Sequence, residues 1–124
     1  MKAKANFIID LKVYPFDVMV SIGQTDDELN KDLAKVKRTV PVEDIKYTCS
    51  RTNAMFILWD NGYGLIRLRN SPKTPEEKGF LAHEITHYTN HLLDDIGMNW
   101  SKKSDEAFSY LTQFITTEIY KRLN

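Results

Sequence analysis

The stretch from Thr74 to Gly97 constrains this chain most, because strong helix start and stop signals bracket a run that carries an uncommon histidine pattern. Thr74-Pro75-Glu76-Glu77 combines an N-cap, a proline at the first helical position and a glutamate placed to close a capping box. Gly97 stands where such a helix stops. The pattern predicts one long helix ending at Ile96, with Gly79 as a weak internal position where either a strand packs close or the first turn differs. Inside it lies His83-Glu84-Ile85-Thr86-His87, and all three histidines of the chain fall between residues 83 and 91. Residues four apart sit one above the other on a helix face. His83 and His87 can therefore present imidazole nitrogens to one ion at about 2.0–2.1 Å each. Glu84, one position round, can flank the open coordination position and take a proton from metal-bound water.

Two histidines do not complete a zinc site; a third protein ligand and a water are needed. His91 lies eight residues from His83, about 12 Å along a straight helix. The two cannot share one ion, so His91 either lines a cleft or is an ordinary, partly exposed histidine. Glu106 is the stronger candidate. It follows a loop that can turn the chain back, and it sits in the first turn of a helix capped by Ser104. Acidic residues also favour first turns simply through the helix dipole. Asp105 competes as ligand or as an acceptor that orients a histidine. Asp94 and Asp95 are further candidates but belong to the histidine helix itself.

The rest of the chain reads as a small α+β domain spanning residues 1–124. Phe7 to Val13 and Phe16 to Ile22 are apolar runs parted by Pro15, and Val18, Val20 and Ile22 alternate as in a strand. Thr25 and Glu28 form a capping-box spacing, and Leu29, Leu33 and Val36 carry a surface helix to about Lys37. Residues 39 to 51 read as a connection with a short strand near Ile45 to Thr48. Ala54 to Trp59 and Tyr63 to Arg69 flank Asn61-Gly62, a favoured two-residue hairpin loop. Arg67 and Arg69 suit an edge strand there, where charge resists aggregation. The last helix runs from Asp105 to about Arg122, with Phe108, Leu111, Ile115 and Ile119 on one side. The expected architecture is a small antiparallel sheet whose C-terminal edge hairpin packs against the long histidine helix and the C-terminal helix.

Net charge is zero, with 17 acidic and 17 basic residues, so no nucleic-acid footprint is present. Neutrality gives little protection against self-association, and a monomer or weak dimer is expected. The single cysteine, Cys49, excludes an internal disulfide and favours a reducing compartment. The apolar run near the N-terminus is too short for a signal peptide, and no stretch reaches bilayer length. A cytoplasmic protein with no membrane contact is the expectation. Trp59 and Trp100 can edge a groove, though closing a small core is the more ordinary role.

HEITH together with Asp105-Glu106-Ala107-Phe108-Ser109-Tyr110-Leu111 resembles the gluzincin class of zinc metallopeptidases in a minimal form, and especially small peptidases encoded by phages and prophages. The resemblance is firmer from Gly79 to Tyr120 than over the N-terminal half. It implies Zn2+ held by His83, His87 and Glu106, with Glu84 as general base in the hydrolysis of a peptide or protein substrate. It also implies a peptide aligned on the strand Gly64 to Arg69. Larger members place an aspartate where this chain has Tyr110, and take a transition-state donor from a second lobe that this chain is too short to contain. Tyr88, Tyr110 or His91 would have to substitute. The departure keeps open a different class of function: a metal-binding structural or interaction domain with weak or no catalysis, or a peptidase that needs an unidentified protein partner.

Overall fold

The computed structural model describes residues 4–38, 53–59 and 63–123. Four strands and three helices are present among them: β1 (Ala5–Asp10), β2 (Asp17–Ile22), α1 (Asp26–Lys35), β3 (Ala54–Leu58), β4 (Gly64–Leu68), α2 (Pro75–Asp95) and α3 (Asp105–Leu123). The Asn61-Gly62 loop, the strand expected near Ile45 to Thr48, and Cys49 lie outside the described residues.

The strands form one sheet in the order β1-β2-β4-β3. β1 pairs antiparallel with β2 through Phe7 opposite Val20, and β3 pairs antiparallel with β4 through Phe56 opposite Ile66. β2 and β4 run parallel, with Val20 opposite Ile66. The sheet is therefore mixed rather than antiparallel, because the chain crosses over through α1 between these strands. The same crossover corrects the expected edge. β4 is an interior strand with all five residues buried, and β3 ends the sheet among the described residues.

Alternation along the strands sorts the core onto two faces. Ile9, Val18, Val20, Ile22, Ile66 and Leu68 meet α2 and α3. Met19 and Leu65 meet Leu29 and Leu33 of α1 on the reverse face. Arg67 points to the α1 side and is buried there, so it is not an edge charge. Its Nη2 donates to the Gln24 carbonyl at 3.0 Å and to Asp26 Oδ1 at 2.9 Å, tying the start of α1 to the middle of the sheet.

Both capping boxes form, Thr25 with Glu28 on α1 and Thr74 with Glu77 on α2. α2 ends in a Schellman motif: Gly97 has φ +89°, Gly97 N–H donates to the Asp94 carbonyl at 2.9 Å, and Met98 N–H donates to that of Leu93 at 2.8 Å. α2 rests over β3 and β4, whereas α3 packs against α2 and reaches β1. The two helices thus divide one face of the sheet, α2 above the β3 edge and α3 toward the β1 edge. No described helix is long and apolar enough to cross a membrane.

Candidate functional site

Leu81, Ile85, Tyr88 and Leu92 recur at helical spacing and bury one side of α2 in the sheet. That anchorage fixes the rotation of the helix and turns His83, His87 and His91 toward its β3 flank. The Nε2 atoms of His83 and His87 are 2.9 Å apart, within hydrogen-bond distance. Their rings meet edge to face with centroids 4.5 Å apart. Two nitrogens on a tetrahedral zinc at ordinary bond lengths lie roughly 3.4 Å apart. The observed pair needs only a small rotation of each ring to match that spacing.

Phe56 of β3 supports the pair from below. Its ring stacks on His87 at 5.1 Å with an interplanar angle of 11°, and it meets His91 at the same centroid distance, tilted by 57°. In the sequence, nothing marks Phe56 beyond its place on the inward-facing alternation Ala54, Phe56, Leu58. His91 stands 6.1 Å from His87, ring to ring, and does not join the pair at a common point.

Glu84 is only 7% exposed, in contrast to the two histidines beside it. Burial pushes its carboxyl above the ordinary range, and the nearby imidazoles of His83 and His87 pull it partly back. A carboxyl held in this way is better disposed to accept and return a proton than an exposed glutamate.

The remaining candidates do not converge here. Glu106 is exposed in the first turn of α3 and does not group with the histidine pair. Asp94 and Asp105 both line a groove of about 870 Å³ between α2 and α3, which Trp100 and His91 also line. Trp100 is 63% exposed there, whereas Trp59 packs against the small cluster under α1. Tyr110 is 65% exposed and borders a separate groove with Val13 and Tyr14. Tyr88 is fully buried and its hydroxyl donates to the Asp17 carbonyl at 3.4 Å, so it is part of the core rather than a cleft donor. Burial also raises the Tyr88 phenol far above its usual range.

Among the described residues, no group of three His, Cys, Asp or Glu side chains is arranged to hold a metal ion. Zinc fits the histidine pair by donor type and spacing, but the described donors stop at two. They do not make up the three-ligand set of a catalytic zinc centre. What α2 offers is two imidazole nitrogens 2.9 Å apart on an exposed turn, with a buried carboxyl beside them and an aromatic ring beneath them.

The chain matches no protein-family model, no curated protein and no solved structure.

Proposed function

We propose that this protein is a metal-binding interaction domain, in which the His83 and His87 face of α2 takes up a divalent cation of the zinc class and awaits further donors from another molecule. One observation carries the reading. The two imidazole nitrogens are poised 2.9 Å apart on an exposed helix turn, while no third donor stands with them among the described residues. A half-occupied coordination sphere favours uptake and bridging over self-sufficient catalysis, because catalytic zinc sites use three protein ligands to fix the ion and orient its water.

A second reading is a peptidase that becomes active when a partner completes the site, with peptide or protein as substrate. The buried Glu84 favours it, since a desolvated carboxyl beside the metal ligands is what a general base at this position requires.

Zinc titration of metal-free protein, paired with peptide and protein cleavage assays on the zinc-loaded chain, separates these possibilities. The expected result is zinc uptake that His83→Ala or His87→Ala removes and Glu106→Ala leaves intact, with no cleavage by the protein alone. Cleavage that a chelator abolishes and zinc restores would overturn the interaction reading. Glu84→Gln should then keep zinc and lose turnover. A sharp loss of zinc in Glu106→Ala would restore that carboxylate as third ligand.

A further inference from the structure

We infer that the donors the described residues do not supply come from a second copy of this chain, and that zinc joins two copies through the paired imidazoles of His83 and His87. This rests on the metal-binding reading above and names the partner. Zinc in closed protein sites takes four ligands in a tetrahedron, and four imidazoles satisfy it as well as mixed donor sets do. Each chain supplies two. A two-fold axis through the ion brings the same patch of both copies together, so that two plus two completes the sphere.

The surroundings of the pair suit such a contact. Phe80 lies three residues before His83 and seven before His87, which puts it on the same helix face. It is 37% exposed, a large apolar side chain in a position where it gains by being covered. Beneath the histidines runs β3, which ends the sheet among the described residues. The chain has no net charge, so two copies approach without long-range repulsion. The histidine pair is not buried under its own chain: His83 is exposed and His87 half-buried. The donors therefore remain reachable from outside, as a shared site demands.

Among the described residues, no third donor completes the pair from within one chain. Glu106, exposed in the first turn of α3, does not group with the histidines. The Glu84 side chain is buried next to His83 rather than standing over it. Bringing Glu84 into the sphere would mean rotating a helix whose opposite side is packed into the sheet through Ile85, Tyr88 and Leu92. Recruiting another copy leaves that packing untouched.

The test is a zinc titration of metal-free full-length protein, followed by sedimentation equilibrium or light scattering with the bound metal quantified. The expected result is saturation at one zinc per two chains, with the mass moving from one chain to two and returning when a chelator is added. His87→Ala should keep its far-ultraviolet circular dichroism and show no change of mass with zinc. Phe80→Asp should still take up zinc but remain at the mass of one chain at protein concentrations that join the parent. Saturation at one zinc per chain would overturn the shared site while leaving metal binding in place. So would a mass that zinc does not alter. Zinc-driven pairing of Phe80→Asp equal to that of the parent would overturn the assignment of this face. Absence of zinc uptake altogether would remove the metal-binding reading as well.

Discussion

Two glycines show how the same residue type serves opposite ends in this fold. A Cβ built on Gly64 would stand 2.2 Å from Tyr88 Cε1, so the fully buried tyrosine ring rests directly on the backbone of β4. Gly64→Ala must displace that ring, and through it α2. We expect a loss of about 1–3 kcal/mol, the usual cost of overpacking a core, measured by denaturant unfolding. Gly79 meets nothing within 4 Å, which removes the close strand contact that the sequence had offered as one reason for it. Gly79→Ala should stabilise by roughly 0.5–1 kcal/mol, because alanine lowers the backbone entropy lost when the helix forms. The pair of variants forms a control for each other: equal effects would mean that Tyr88 does not lean on β4. Neither role was readable from the sequence. A glycine at a strand start and a glycine in a helix look alike until the third dimension says what lies over them. Phe56 is a similar case, since nothing local marks one strand phenylalanine as the ring that His87 stacks on.

Helices were more legible than the sheet. The two capping boxes, the first-position proline and Gly97 are local signals with local causes, and each appears where the spacing put it. β2 was readable from the alternation of Val18, Val20 and Ile22, and β3 and β4 from the turn signal between them, but strand order was not. Two arginines near the end of the chain's last strand looked like edge charges. Arg67 instead lies buried under α1 with Asp26 as its partner, a contact made across 41 residues of sequence. Pairing of that range is set by the crossover, which periodicity does not encode. The histidine pair was legible because one helical turn defines it, and the fate of Glu106 was not, because it depends on which side of α2 the last helix packs. The capping of α2 carries its own prediction. Hydrogen bonds from the backbone N–H groups of Thr74 and Lys73 hold the Glu77 carboxyl below its ordinary range. A carboxyl depressed in the folded state adds stability above its unfolded value, and that contribution fades as pH falls through the folded value. The melting temperature of Glu77→Ala should therefore lie below the parent at neutral pH, and the gap should close in acid, below the ordinary carboxylate range. A gap that stayed constant down to the acid transition would assign the effect to contacts of the side chain that do not depend on its charge, since alanine has the higher helix propensity.

At the scale of the whole molecule, the histidine pair sits on the helix that ties most of the core together, so a cation taken up there, as proposed, would be coupled to global stability. α2 contributes Leu81, Ile85, Tyr88, Leu92 and Leu93 to the main cluster. In the unfolded chain His83 and His87 lose the fixed spacing that α2 gives them, and a cation gains little from them. A ligand that prefers the folded state stabilises it by RT ln(1 + [L]/Kd), about 2.7 kcal/mol at a hundredfold excess over Kd. Zinc should accordingly raise the melting temperature of the parent and leave that of His83→Ala unchanged. A second dependence distinguishes a chain that holds zinc alone from one that shares it. If each copy bound its own ion, the melting temperature at saturating zinc would be independent of protein concentration. With one ion held between two copies, unfolding also separates them, so the transition must move upward as protein is added. In chelator the same dilution series should give a single value, because unfolding then separates nothing. Calorimetry over a hundredfold range of protein, with and without zinc, reads both dependences. A rise with concentration in zinc alone is the expected outcome. A transition that zinc raises equally at every dilution would place the whole coordination sphere on one chain, with water as the remaining ligands.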